Sequence, residues 1–529
     1  MIQVDVELKR IQTFLFQVPQ LKAMLGANAL VGEVMRVKLA ELARPLSLGQ
    51  QGDFGFEAYP DDPLNDLSRQ PIENRKDLKD DPAYAYSQGI LARDGGHFSA
   101  LFGTDEKADE FMKSAEALIS NELPGVLFEL RKRKFGEKAE DDKQVSNILT
   151  IEAILDIPVL QICTATGQGP ATANNNKHKD KKYLSKSAQL REQNGDKFYQ
   201  GKTRDIIGLL NNQLGLNQKN NPDDLNDLVD GGYLALIHAD GNSIGNRYKE
   251  WKNQFQGKDE LLKEAHGEKF FHSMRVVVRK AVVEAIKITF NDSGSTQKRL
   301  YQPLMLGGDD LVMVCRADLA LDFCRQLCLS IKKYHLVDGQ KLTLGLGVAI
   351  AKAGYPFYRL NELAEELASS AKRLAHGQIK GEEVSVIDWQ VVSQSNFSAL
   401  AATRGKADFI TYRINDSVET LILNQRPYQV LPKDTADLTS LAGLLDAVEP
   451  LSKLEGAARS ALRGLRGEYE KGRLHGELAF DNLIQDNRNA LLKAGIEVAW
   501  DEHDGYYSTP LFDLIELTEL QHLGNRKSQ

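Results

Sequence analysis

"PLMLGGDDLVMV", residues 303–314, is the stretch on which the fold turns. Two apolar runs of strand length flank two glycines and two aspartates, the pattern of a buried hairpin with its tip at 307–310. Adjacent carboxylates repel, so a tip built this way needs either open solvent or a cation. Turns of similar sequence also occur in hairpins without chemistry. The flanking segments decide between the two readings.

Upstream, "YLALIHAD" (233–240) reads as a buried strand ended by Asp240, although such an aspartate also serves as a helix cap or turn former. A long helix follows, with Phe271, Met274, Val278, Ala281, Val282 and Ala285 at helical spacing on one face. Downstream come the helix "ADLALDFCRQLCLSIKK" (317–333), the strand "KLTLGLGVAIA" (341–351) and the helix "RLNELAEELASSAKRLA" (359–375). The order β-α-β-β-α-β-α predicts an antiparallel sheet backed by helices, a ferredoxin-like plan in an α+β protein. In that plan the first strand lies beside the hairpin. Asp240 should therefore approach Asp309 and Asp310, 69 residues away in sequence. Three clustered carboxylates suit hard divalent cations, Mg²⁺ or Mn²⁺, and two such ions fit a reaction that activates a hydroxyl and releases pyrophosphate. Gly307 and Gly308 leave room for a nucleotide to approach the backbone.

The first region repeats the pattern. A strand at 2–7, a helical stretch broken near Pro19 and "GILARDGGHFSALFG" (89–103) give strand, helix, strand, turn, strand, with the helix "DEKADEFMKSAEALIS" behind. A further buried strand is expected at 154–162. Gly95 and Gly96 stand where the second region has Gly307 and Gly308, but His97 and Phe98 replace the aspartates. Glu7 is the counterpart expected for Asp240. The sequence thus predicts a duplicated domain with only the second copy equipped for chemistry. Residues 45–87 read as an irregular insertion and 164–200 as a polar linker. The expected divisions are 1–162 (first domain), 163–229 (linker), 230–395 (second domain) and 396–529 (helical domain).

Composition bounds the function. The 529 residues are 42% hydrophobic and 26% charged, with a net charge of −8, which argues against a surface that coats nucleic acid. Cys163, Cys315, Cys324 and Cys328 contain no CxxC pair, so neither a disulfide framework nor a four-cysteine zinc site is expected. No signal peptide and no membrane-length apolar run is evident, and a cytoplasmic chain is expected.

The motifs "HADGNSIG", "LGGDDLVMV" and "LGLGVAIAKAGYPFYRLNELAEELASSAKR" resemble, in order, the second Palm domain of the large subunit of type III CRISPR effector complexes. "LKRIQTFLFQVPQLKAMLGANALVGEVM" is similar to that family's first, degenerate Palm domain, and the resemblance spans about residues 1–395. It implies a nucleotidyltransferase that makes cyclic oligoadenylate from ATP in antiviral defence. The implied metal positions are Asp240, Gly241, Asp309 and Asp310, the catalytic groups the three aspartates, and the nucleotide contacts Asn242, Ser243, Gly307, Gly308 and Lys372. On its own spacing Lys372 is also readable as a surface residue paired with Glu365 or Glu366. Implied partners are guide-RNA effector subunits and target RNA, with a homodimer as a further option.

Three features depart from the family. No HD nuclease domain is expected ahead of the first Palm-like region, and His503–Asp504 reads as an isolated pair in a loop-like tail. "CTATGQGPA" keeps one cysteine of a zinc insert, so no zinc is expected. Asn242 stands where an acidic residue is usual. "GLGVAIA" lacks the third glycine of a dinucleotide fingerprint, no phosphate-binding P-loop occurs, and the Arg459–Arg463–Arg466 stripe reads as solvated surface. Two alternatives stay open: a diguanylate-type cyclase, against which the GGDD-Leu turn speaks, and a scaffold subunit with a vestigial site.

Overall fold

In the computed structural model the described residues are 1–52, 54, 82–137, 144–147, 161–167, 169–175, 182–203, 205–215, 220–229, 232–290, 298–377, 384–392, 400, 404–405, 408–414, 417–432 and 438–525. Most of the strand expected at 154–162 and most of the 45–87 insertion lie outside them.

The first half comprises β1 (Ile2–Lys9), α1 (Leu21–Glu33), β2 (Ile90–Asp94), β3 (His97–Phe102), α2 (Asp105–Glu122), β4 (Leu127–Lys134) and β5 (Gln144–Asn147). Its sheet runs β2-β3-β1-β4-β5, and β1 is antiparallel to both neighbours. Alternation along β1 explains the layering. Val4, Val6 and Leu8 are buried in the core, whereas Gln3, Asp5 and Glu7 line a polar cavity on the other face. Thr104 caps α2 through the Lys107 N–H.

Residues 182–200, expected as linker, fold. After a short two-stranded ribbon, α3 (Lys186–Tyr199) docks on α1. Sequence periodicity misses this helix because its contact is made by glycines. A Cβ on Gly26 would sit 2.0 Å from the Arg191 carbonyl oxygen, and one on Gly195 2.5 Å from that of Lys22. Arg191 is fully buried, donates to the Phe14 carbonyl at 2.6 Å and lies 4.1 Å from the Phe14 ring centroid. Burial lowers its pKa to about 10.

The second half follows the expected order: β6 (Tyr233–Gly241), α4 (Ile244–Asn253), α5 (Glu260–Phe290), β7 (Tyr301–Leu306), β8 (Leu311–Arg316), α6 (Ala317–Ile331), β9 (Leu344–Lys352) and α7 (Phe357–Gly377). β10 (Val386–Val391) pairs parallel to β9 through the α7 crossover. The remaining strands are antiparallel, and β9-β6-β8-β7 repeats the order β4-β1-β3-β2 of the first half. The helix expected to bury one face, α5, is buried over most of its circumference from His272 to Val283. It runs between the halves: Arg275 and Arg279 reach Asp94 of β2 at 3.6 and 3.2 Å, while Met274 lies under the second hairpin.

The C-terminal region is not purely helical. β11 (Phe409–Ile414), β12 (Ser417–Ile422), the two-residue β13 (Tyr428–Gln429), β14 (Asp501–His503) and β15 (Tyr506–Ser508) accompany α8 (Leu441–Ser452), α9 (Gly456–Tyr469), α10 (Arg473–Asp481), α11 (Gln485–Lys493) and α12 (Leu511–Asn525). A sheet of order β11-β12-β15-β14 forms, and β13 extends the second-half sheet beside β10. His503, expected in a loop, sits in the β14–β15 hairpin, 2.9 Å from Ser508 Oγ. The arginine stripe, expected to be solvated, is so at Arg463, but all three arginines also clasp other parts of the chain. Arg459 and Arg463 both hold Glu519 of α12, and Arg466 meets Asn424 at 2.9 Å. Fully buried Asp513 accepts from Asn424, the Gln425 N–H and the Tyr428 hydroxyl, each at 2.7 Å, with Arg426 at 2.9 Å. No helix among the described residues is long and apolar enough to cross a membrane.

Candidate active site

The ladder between β6 and β8 pairs Ala239 with Leu311, so Asp240, the next residue of β6, stands beside the hairpin tip. One carboxylate oxygen from each of Asp240, Asp309 and Asp310 lies within 4.8 Å of the others. Among the described residues this is the one group of three or more such side chains placed to hold a metal ion. Gly241 makes the approach possible, because a Cβ there would lie 2.9 Å from Asp309 Cβ and 2.7 Å from Ile244 Cγ1. The Gly307 N–H closes the turn onto the Asp310 carbonyl at 2.8 Å.

The two hairpins differ in a way that matters. In the first half Asp94 pairs with His97 around a two-residue turn, with Gly95 and Gly96 at φ 61° and 79°. In the second, Leu306 pairs with Leu311, and four residues form the turn. Two extra residues lift both aspartates off the ladder, whereas His97 and Phe98 stay on it, opposite Glu7 and Val6. Gly307 and Gly308 need no left-handed φ. Their small size gives clearance, since a Cβ on Gly308 would already sit 3.2 Å from Met274 Cε.

Lys372 reaches the cluster from α7 and forms an ion pair with Asp240 Oδ2. The surface pairing is not formed: Glu365 accepts from Asn361 and Glu366 from the Leu400 N–H. Residues of "GLG" bring the helix in. Gly345 and Gly347 stand opposite Asp240 and His238 on β9, and a Cβ on Gly347 would meet the Ala364 carbonyl oxygen at 2.1 Å and the Ala368 nitrogen at 2.4 Å. Without side chains there, α7 lies on the strand backbone, and the Lys372 stem crosses Gly345.

The carboxylates titrate abnormally. Burial first, then the charge of Asp240, raises Asp309 to about 6. Burial, then Asp240, then Asp309 raises Asp310 to about 8, with Lys372 opposing. The hairpin pair thus titrates closer to neutrality than free carboxylates do, and a bound cation would favour the ionised form of both. Three hard oxygen ligands so close together could hold a divalent ion such as Mg²⁺ or Mn²⁺.

Asn242 and Ser243 are placed differently from the other predicted residues. Asn242 is fully buried, donating Nδ2 to Thr343 Oγ1 at 3.1 Å and the Val384 carbonyl at 3.3 Å. It braces β6 against the β9 and β10 entries. Ser243, at φ 56°, caps α4 without a side-chain bond and lines a separate cavity of about 890 Å³ with Arg247 and Lys341.

The cavity over the hairpin, about 510 Å³, has walls from both halves. Gly307, Asp309, Asp310 and Glu365 face Arg10, Thr13, Asn28 and Gly95. Sequence reasoning missed Glu365 and Arg10. Arg10 has a structural signal: at φ 52° it is, with Ser243, one of two non-glycine residues in the left-handed region among those described. Arg10 caps a short helix, Ile11–Leu15, directly after β1, and Ser243 caps α4 directly after β6. Such backbone strain collects where a structure over-determines its turns.

The family description "Cas10/Cmr2, second palm domain" matches residues 233–379, which contain all the residues named for the second-half site. Among curated proteins none matches the chain. Similar solved structures include a Csm1–Csm4 cassette in complex with cA4, 11% identical, covering 98% of this chain and 69% of that chain, with a TM-score of 0.49. Another is a Csm1–Csm4 cassette in complex with AMPPNP, 12% identical, covering 99% and 70%, with a TM-score of 0.47. Residues 233–379 thus resemble the Cas10/Cmr2 second palm domain.

Proposed function

We propose that the chain is a metal-dependent nucleotidyltransferase that joins ATP into a cyclic oligoadenylate, or a related cyclic nucleotide, within a guide-RNA-directed antiviral complex. The carrying observation is the convergence of Asp240, Asp309 and Asp310 within 4.8 Å, inside the segment matched to the second palm domain. Both halves are read as ferredoxin-like Palm domains. The shared strand order and the paired left-handed residues Arg10 and Ser243 support a duplication, and the two-residue first turn supports loss of chemistry from that copy.

Divalent cations, when bound, would neutralise the triphosphate and lower the barrier to attack by a 3′-hydroxyl on the α-phosphate. The chain's own part is positioning. Asp240, Asp309 and Asp310 would hold the cations, fixed by the β6–β8 ladder and the Gly307–Asp310 turn bond. The Gly307–Gly308 backbone leaves the triphosphate room, and Lys372 supplies a mobile ammonium for its phosphates. The opposite wall, which carries Arg10 and Asn28, would limit water and orient the second reactant.

Purified protein incubated with ATP or GTP and Mn²⁺, with products resolved by mass spectrometry, tests the reading. Asp240→Ala and Asp310→Ala should each remove nearly all product, and Lys372→Ala should lose about ten- to a hundredfold. His97→Ala should leave product formation intact. Equal losses from His97→Ala and Asp310→Ala would place the chemistry in the other half, and no product from any nucleotide would favour a scaffold.

A further inference from the structure

We propose that Lys372 is the resting counter-ion of the metal site, and that its transfer from Asp240 to an incoming triphosphate couples metal binding to nucleotide binding. The inference rests on the reading of this cluster as a metal–nucleotide site.

Lys372 is held on Asp240 by construction. The α7 backbone lies against Gly347, and the lysine Cγ stands 2.5 Å from where a Gly345 Cβ would be, so the stem is laid across the strand toward Asp240. The ammonium pairs with Oδ2 of the same carboxylate that is needed to complete the three-oxygen cluster. Among the described residues no other cation forms an ion pair with Asp240, Asp309 or Asp310. A divalent ion entering the cluster would lie within a few ångströms of that ammonium, and the repulsion between the two cations would weaken the hold of Asp240 on the lysine. The first ion would therefore compete with the lysine for Asp240.

The side chain is suited to leaving. Lysine carries a compact charge on a flexible four-carbon stem with rotatable donors, whereas an arginine fork would be fixed by its planar geometry. The pair is partly accessible, with 25% of the Lys372 side chain and 32% of the Asp240 side chain exposed. A triphosphate offers the displaced ammonium an anionic partner. Metal binding without nucleotide then bears the full loss of the Lys372–Asp240 pair, and metal binding with nucleotide does not. By linkage, metal strengthens nucleotide binding by the same factor.

Mn²⁺ binding to the full chain, followed by electron paramagnetic resonance without and with a non-hydrolysable ATP analogue, tests this without recourse to activity. Lys372→Met keeps the stem and removes the charge, and Lys372→Gln is the second variant should the first fold poorly. Without nucleotide, either variant should bind Mn²⁺ about tenfold or more tightly than the unaltered protein, as expected for removal of a charge-assisted competitor. The gain in Mn²⁺ affinity brought by the nucleotide should shrink correspondingly. Unchanged or weaker Mn²⁺ binding by both variants, while the unaltered protein binds Mn²⁺ with nucleotide through Asp309 and Asp310, overturns the counter-ion role and leaves the site reading standing. Absence of Mn²⁺ binding from every protein, with or without nucleotide, overturns both.

Discussion

Gly347→Ala is a one-carbon change more than one helical turn from the reacting groups, yet it should disable the site. A Cβ at 347 would stand 2.1 Å from the Ala364 carbonyl oxygen and 2.4 Å from the Ala368 nitrogen, both backbone atoms of α7. Ordinary contact begins at 3.4 Å, so α7 must retreat by about 1.3 Å. No side-chain rotation relieves the clash, because the opposing atoms belong to the helix itself. Overpacking of this kind costs about 1–3 kcal/mol, and backbone contacts place it at the upper end. The same retreat draws Lys372 away from Asp240 and from any phosphate, and a misplacement of about 1 Å at a reacting centre can lower a rate by about a hundredfold. Urea denaturation would measure the stability change, and product formation from ATP with Mn²⁺ the second effect. Gly354→Ala, where a Cβ meets nothing within 4 Å, is the control. A Gly347→Ala protein with an unchanged denaturation midpoint and unchanged product yield would refute the account of how α7 is seated.

Asp309 and Asp310 bind protons more tightly folded than unfolded, so their contribution to metal-free stability is full below the ordinary value of 3.8 and is lost as pH rises through about 6 and about 8. Urea midpoints from pH 4 to 8 should therefore fall more steeply for the unaltered protein than for an Asp309→Ala/Asp310→Ala variant, and parallel curves would count against the clustered pair. The same variant should fold without metal but lose the rise in melting temperature that Mn²⁺ with ATP gives, a linkage worth about 2.7 kcal/mol at a hundredfold excess over Kd. Asn242→Asp should destabilise by about 1–3 kcal/mol, because a carboxylate cannot donate to Thr343 Oγ1 and the Val384 carbonyl; the denaturation midpoint reads this. Asp513→Ala should lower stability by about 3–5 kcal/mol in the same assay, since Arg426 would be left as a buried charge short of a partner.

The second-half sheet was legible because its strands are apolar runs of six to nine residues and its helices are long and periodic. The approach of Asp240 to the GGDD tip followed from topology alone. What stayed hidden obeys other rules. α3 docks by backbone contact at Gly26 and Gly195, with a polar sequence and a buried arginine, so it carries no apolar stripe to read. The C-terminal sheet is assembled partly from three-residue strands, and Asp501–His503 is exposed throughout, which leaves no alternation. Asn242 invites a ligand role by its place in the motif. Its burial is decided by Thr343 and Val384, far along the chain. "GLG" was placed inside a strand, as it is, but the reason for its glycines appears only once α7 lies on them.

The central helix α5 sets a limit on how the cleft can work. Met274 lies beneath Gly308 at the second turn, and Arg275 and Arg279 grip Asp94 at the first, so six consecutive helical residues span the two opposing lips. Six residues rise only about 7.5 Å along an α-helix, a rod too short and too well packed to bend. The gap is therefore that of a bracket and not of a jaw. Its lips cannot spread without pulling buried arginines from Asp94, so on the proposed function a nucleotide would enter along the groove, between fixed walls.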